Sequence, residues 1–203
     1  MRTPITAPTT HEDAWAAKGF FPIAGVDEAG RGALAGPVVA CAVTLPAGLV
    51  IEGVNDSKKL SATKREALAA RIKAEALAYA FGVVDVDGIE AMNILHASLY
   101  AMRLAVKGLA ALPQIALIDG NKLPPGLPCE AVCIKQGDAA SHVIAAASIL
   151  AKVERDRMMQ ALHGEFPMYG FDKHKGYGTA AHRAALGEFG LCPQHRKGFC
   201  HGF

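Results

Sequence analysis

The chain has 203 residues, a net charge of +2, and a composition that is 51% hydrophobic and 20% charged. That balance excludes a disordered polypeptide and suffices for a sizeable core in one domain. The small net charge leaves any polyanionic partner to local basic patches rather than to a global field. Five cysteines form an odd set without a C-x-x-C pair, and no signal-peptide pattern stands ahead of them, so the expected compartment is the reducing cytoplasm.

In chain order, residues 1–16, with repeated proline and threonine, are expected to form a flexible lead-in. Ile23 to Asp27 and Val38 to Leu45 read as two strands of an antiparallel pair about a glycine turn. No charge occurs from Ala33 to Ile51, but Gly36, Pro37, Pro46 and Gly48 break that stretch into strand and turn rather than a membrane span. Ser61 offers an N-cap to an alanine-rich helix ending near Ala80. A strand over Phe81 to Val86 follows, then a helix from Gly88 to Leu109 whose Met92, Leu95, Leu99, Met102 and Val106 recur at helical spacing as a core stripe. Gln114 to Ile118 is a short strand that delivers Asp119 at its carboxyl end. Pro124, Pro125 and Pro128 mark a surface loop before a last strand, Glu130 to Ile134. A long helix is expected over Ala139 to Leu162, then a loop-rich stretch and a short helix near Ala180 to Phe189. Strands interleaved with helices give an α/β fold, a mixed sheet flanked by helices.

Asp27 and Glu28 place two adjacent carboxylates where a buried strand ends. Like charges side by side repel unless something compensates them, and a divalent cation is the simplest compensation; an exposed acidic turn is the alternative. Strand alternation points the two side chains to opposite faces, so a shared site calls for a bend there, which Gly30 and Gly32 permit. Asp119 and Asp138 also end predicted elements. Four carboxylates suit Mg2+ or Mn2+, which take oxygen ligands and are commonly shared with substrate phosphates. An N-cap is the other reading of Asp138. Asp156 competes for the fourth place, but 18 helical steps from Asp138 amount to roughly 27 Å, so both cannot serve one centre. Asp156 reads as an ion pair with Arg155 and Arg157.

Basic residues cluster at Lys58, Lys59, Lys64 and Arg65; at Arg155 and Arg157; at Lys173 to Lys175; and at Arg196 and Lys197. Each reads as a solvated face or a phosphate contact. In Lys173 to Thr179 an aromatic ring flanked by glycines and cations suits stacking on a base or sugar beside a held phosphate. Cys192, His195, Cys200 and His201 carry zinc-type atoms without finger spacing, and free thiols in a tail are the expected reading.

These residues together resemble the bacterial ribonuclease HII family. The matching pieces are GVDEAGRG over Gly25 to Gly32, DSKKL over Asp56 to Leu60, IDG over Ile118 to Gly120, Gly137 with Asp138, AAASILAKV over Ala145 to Val153, and HKGYGT over His174 to Thr179. The resemblance implies a ribonuclease H-like mixed sheet in a catalytic domain over residues 17–203, with a C-terminal helical extension from about residue 160. It implies Asp27, Glu28, Asp119 and Asp138 as catalytic, metal-binding carboxylates, with Mg2+ or Mn2+ as cofactor. It further implies Gly30, Arg31 and Gly32 as the segment that detects a ribose 2′-hydroxyl and Tyr177 as the ring at an RNA to DNA junction. Lys58, Ser148 and Lys175 are carried as further substrate contacts. The implied activity is endonucleolytic cleavage of RNA·DNA hybrids and of DNA containing ribonucleotides by a monomer with no membrane association; the protein partner is unknown. Gln136, where lysine is common, and Gly198, where serine is common, depart from the pattern. A non-catalytic hybrid-binding module and a magnesium-dependent phosphatase are the rival readings.

Overall fold

A computed structural model of the chain describes residues 6–202. Strands β1 (Ile23–Ala29), β2 (Val38–Thr44), β3 (Ala78–Val84), β4 (Ile115–Asp119) and β5 (Glu130–Ile134) form one sheet in the order β3-β2-β1-β4-β5. β2 runs antiparallel to both of its neighbours, β1 and β3, while β4 runs parallel to β1, and β5 parallel to β4. The helices are α1 (Thr10–Ala16), α2 (Ala62–Glu75), α3 (Val86–Met92), α4 (Ile94–Lys107), α5 (Gly137–Ala140), α6 (His142–Glu165), α7 (Phe171–His174) and α8 (Ala180–Phe189). The sheet is therefore mixed and flanked by helices, as expected.

Strand alternation divides the core into two layers. Ile23, Cys41, Val43, Ile115 and Leu117 face α6 and α2, burying Ile144, Ala147, Ile149, Leu68 and Ile72. Ala24, Val26, Ala40, Ala42 and Ile118 face α4, against Ala97, Ala101, Met102, Ala105 and Val106. Small residues let the backbones approach closely. A Cβ on Gly25 would fall inside the contact radius of the Val143 carbonyl, and one on Gly82 inside that of the Ala101 oxygen. A third cluster, with Leu34, Ala35, Met159, Tyr169, Phe171 and Leu186, joins the end of α6 to α7 and α8 as a C-terminal lobe.

Several element boundaries differ from expectation. The alanine-rich helix ends at Glu75, and Ala78 to Phe81 pair with β2 from Thr44 to Cys41; the open ladder beside β2 outweighs the helical propensity of alanine. The helix expected over Gly88 to Leu109 is two, broken at Asn93, whose φ of 64° ends one and whose side chain caps the N–H of His96 in the next. The long helix begins at His142 because Ser141 is extended and caps Ile144.

The flexible lead-in expected over residues 1–16 is corrected in its described part; residues 1–5 lie outside the described residues. Ala7 is buried and its N–H donates to the Val54 carbonyl, 2.8 Å. Glu12 on α1 accepts from the Ser141 hydroxyl, 2.9 Å, and from the Val143 N–H, 2.7 Å, so α1 holds the first turn of α6. Among the described residues no helix is long and apolar enough to cross a membrane.

Candidate active site

The parallel register of β1 and β4 runs from Ile23 beside Ile115 to Val26 beside Ile118. One step further brings Asp27 level with Asp119, at the carboxyl ends where sites collect in α/β sheets. β1 itself continues to Ala29 against β2, so the bend expected at Asp27 and Glu28 is absent. The two carboxylates nevertheless line one pocket, at the stretch of β1 that runs past its pairing with β4. Asp27, Glu28, Gly30, Arg31, Gly32, Ser57, Lys58, Asp119, Ser148, Lys152 and Tyr177 line this pocket of about 300 Å³.

Asp27 is buried; its Oδ1 accepts the Glu28 N–H at 2.7 Å, and its carboxylate bonds the Ser148 hydroxyl. Ser148 in turn lies 3.0 Å from the Ser57 hydroxyl. Asp119 Oδ1 accepts the Gly137 N–H, 2.7 Å, which ties the end of β4 to α5. Asp138 sits in α5 and meets Lys58 Nζ at 3.3 Å, on the rim rather than in the pocket lining. The N-cap of α6 is Ser141, so Asp138 does not hold that place. Glu28 takes Arg31 Nη1 at 3.3 Å.

The electrostatics are those of undercompensated negative charge. Burial, then the charges of Glu28 and Asp119, raise the Asp27 carboxyl well above its ordinary value. Burial lifts Glu28 against the pull of Arg31, and burial also lifts Asp119, with Asp138 adding to the rise. For Lys58 burial acts downward, but Asp138, Asp56 and Asp27 outweigh it and raise the ammonium. As placed, no three His, Cys, Asp or Glu side chains among the described residues close round one point to hold a metal ion. Asp138 and Glu28 are engaged by Lys58 and Arg31 instead. The donor chemistry nevertheless fits a hard divalent cation: oxygen ligands, adjacent, and short of positive charge.

Around the carboxylates, Gly30 has φ of 99° and no room for a Cβ beside the Arg155 side chain and the Pro37 carbonyl. The Tyr177 ring lies 5.3 Å from the Arg155 guanidinium and 5.9 Å from Lys152 Nζ. Lys175 does not reach the pocket: its ammonium donates to the Asp172 carbonyl, and its own carbonyl accepts Arg155 Nη1, 2.9 Å. Ser57 and Lys152 also line the pocket without having been singled out. The spacing of Lys152, four residues after Ser148 on one helix face, is the signal that marks it.

Two basic clusters turn out differently from either reading. Arg155 is fully buried, donating to the carbonyls of Pro37, Lys175 and Ala35. Arg196 is fully buried, donating to those of Gly36 and Arg31. Neither is a solvated face. Asp156 pairs with Lys152 and Arg65 rather than with its sequence neighbours, and Arg157 reaches Glu66 at the surface. Cys192 and Cys200 are free thiols in the C-terminal lobe, and His195 Nδ1 accepts the Cys192 N–H.

A mixed five-stranded sheet with carboxylates gathered at the ends of its central strands defines the ribonuclease H-like class of hydrolases. A family model described as Ribonuclease HII matches residues 24–202. The chain is 56% identical over 178 residues to a ribonuclease HII of Xylella fastidiosa, covering 87% of this chain and 76% of that one. It is 54% identical over 177 residues to one of Bordetella avium, covering 87% of each. Among solved structures, the ribonuclease H2 of Pyrococcus horikoshii superposes with a TM-score of 0.69 at 28% identity over 87% of this chain and 92% of that one. The RNase HII in a PCNA:RNase HII complex from Archaeoglobus fulgidus superposes with a TM-score of 0.69 at 27% identity, over 87% and 94%. The chain belongs to the ribonuclease HII family. It is accordingly a metal-dependent endoribonuclease acting on RNA·DNA hybrids.

Proposed function

We propose that the protein hydrolyses the RNA strand of RNA·DNA hybrids and also cuts 5′ of ribonucleotides embedded in duplex DNA, leaving 5′-phosphate and 3′-hydroxyl ends. The observation that carries this reading is the single pocket lined by Asp27, Glu28 and Asp119 together with the Gly30 to Gly32 turn and Tyr177. Acid chemistry, a backbone turn able to approach a ribose closely, and an aromatic ring are thereby offered to one stretch of nucleic acid. Asp27, Glu28, Asp119 and Asp138 would hold a pair of Mg2+ or Mn2+ ions. When bound, such ions supply activation of the attacking water and stabilisation of the departing 3′ oxygen.

The chain's own residues do the rest. Asp27 and Asp119 are held by the Glu28 and Gly137 N–H groups, so both carboxylates are oriented before substrate arrives. The turn at Gly30, Arg31 and Gly32 presents backbone to the ribose, where a 2′-hydroxyl separates RNA from DNA. Lys58, with an exposed side chain, offers an ammonium to a backbone phosphate at the rim. Tyr177, backed by Arg155, stacks at the junction between ribonucleotide and deoxynucleotide. Such an enzyme serves removal of ribonucleotides from DNA and degradation of primer RNA, in the cytoplasm, as a monomer with no membrane association. The Archaeoglobus fulgidus relative was solved with PCNA, and the corresponding protein partner here is open.

The test is cleavage of a hybrid duplex, a DNA duplex with one ribonucleotide, and a nucleoside triphosphate, with Mg2+, Mn2+ or chelator, read at nucleotide resolution. Cutting of both duplexes and not of the triphosphate, abolished by chelator, is expected. Hydrolysis of the triphosphate alone would make it a small-substrate phosphatase; binding of hybrid without cleavage would make it a non-catalytic module. Asp119→Asn should lose at least about 1,000-fold in kcat while still binding hybrid, because it removes charge with little change in volume. For Tyr177→Ala, the loss should fall selectively on the single ribonucleotide; equal loss on both duplexes rejects the junction role.

A further inference from the structure

The loop that carries Tyr177 is conformationally costly. Lys175 has φ of 52° and Gly176 of 79°, two successive residues in the left-handed region, and a non-glycine there costs on the order of 1 kcal/mol. Two imidazoles hold it. His174 Nδ1 accepts the Gly176 N–H, 3.2 Å, and its Nε2 meets the Tyr169 carbonyl at 2.7 Å. His182, in the first turn of α8, meets the Tyr177 carbonyl through Nδ1 at 3.0 Å. The rings of His174 and His182 stack at 4.4 Å, 14° from parallel, with Phe171 edge-on to both.

The partners fix every proton. A carbonyl only accepts, so His182 carries its proton on Nδ1, and its Nε2 is an acceptor. His195 Nε2 lies 3.0 Å from that Nε2 and must donate; its Nδ1, accepting the Cys192 N–H at 2.9 Å, is consistent. His174 likewise carries its proton on Nε2. Three buried or half-buried neutral rings are thus engaged at both nitrogens, and the chain His195 to His182 to the Tyr177 carbonyl has one direction only. A second proton on His182 or His195 would set two N–H groups against each other. Burial lowers both of these histidines, which is consistent with the neutral chain.

We propose that His182 is a positioning residue for Tyr177, held in a single tautomer by His195, so that the imidazole chain sets where the junction-stacking ring stands. The inference rests on the role given to Tyr177 above, and it makes His182 matter for one substrate more than for another.

The experiment compares cleavage of the single-ribonucleotide duplex and of a long hybrid by wild type, His182→Phe, His182→Asn, Tyr177→Ala and the double variant His182→Phe/Tyr177→Ala. The phenyl ring keeps the stacking but cannot donate, so KM for the single-ribonucleotide duplex should rise about tenfold, with kcat and the long hybrid within about threefold. His182→Asn, whose amide can replace Nδ1–H, should return KM to within about threefold of wild type. The double variant should be no worse than Tyr177→Ala alone. Multiplied losses in the double variant, equal loss on both duplexes, or no rescue by asparagine would overturn the inference. Wild type that cuts neither duplex sinks the proposed function and this inference with it; active wild type with an unaffected His182→Phe sinks the inference alone. Should His182→Phe fail to fold, nitrogen-15 spectra of the wild-type imidazoles decide: a proton on Nδ1 of His182 and on Nε2 of His174 and His195 supports the chain, and one on Nε2 of His182 rejects it.

Discussion

The two halves of the pocket are held by different physics. The carboxylates stand on β1, β4 and α5, fixed by ladder register and by apolar layers on both sheet faces. The Gly30 turn and the Tyr177 loop have no ladder to hold them. They hang on buried Arg155 and Arg196 and on His174 and His182, which donate into backbone carbonyls; among the described residues neither arginine makes a salt bridge. Regular elements thus place the carboxylates proposed to do the chemistry, while buried cations and imidazoles shape the loops proposed to read the substrate.

That contrast can be broken most sharply at Arg155. Arg155→Met keeps bulk but leaves the carbonyls of Ala35, Pro37 and Lys175 unpaired in the interior, and should cost about 4 kcal/mol in urea unfolding. On the regular side, Gly25→Ala drives a Cβ into the Val143 carbonyl, where neither backbone can yield. About 3 kcal/mol of destabilisation is expected, with activity falling on both duplexes alike because α6 carries Ser148.

Acid should separate the two halves without any mutation. Burial, then His182, lowers His195 to about 4 from an ordinary 6.5. Below pH 6.5 the unfolded chain takes up a proton that the folded lobe refuses. Stability from this group is therefore full above 6.5 and lost as pH falls toward 4, by about 2–3 kcal/mol. Thermal melts across that window, with His195→Asn as comparison, measure it; a flat difference between the two proteins would reject the assignment. A further effect has the opposite sign. The raised Asp27 carboxyl stabilises the fold when protonated and does so less as pH rises through its folded value. Asp27→Asn should thus melt higher than wild type at neutral pH without divalent ions, and the two should converge in acid. Adding Mg2+ or Mn2+ should raise the melting temperature of wild type more than that of the variant.

The same division explains what the sequence discloses. Val38 to Leu45, Gln114 to Ile118 and Glu130 to Ile134 announce their strands by β-branched runs bounded by turns, and Ser61 announces its cap, because local chemistry decides them. Ala78 to Phe81 reads as helix until the free edge of β2 is known. Asn93 breaks a periodic stretch by one residue in a left-handed conformation. Asp27, Glu28 and Asp119 stand out because charge at a strand end is anomalous, whereas Arg155 looks like any surface base between Glu154 and Asp156. Its partners are carbonyls, which belong to every residue and leave no mark in composition. Lys175, beside Tyr177 in sequence, turns away from the pocket because the left-handed step at its own position redirects it.

The grip of Glu12 on Ser141 and Val143 reaches further than the surface. It anchors the head of the helix whose seventh residue, Ser148, shares a hydrogen bond with Asp27. A shortened protein lacking the first sixteen residues would keep Asp27, Glu28, Asp119 and Asp138 yet release the helix on which Ser148, the partner of Asp27, is mounted.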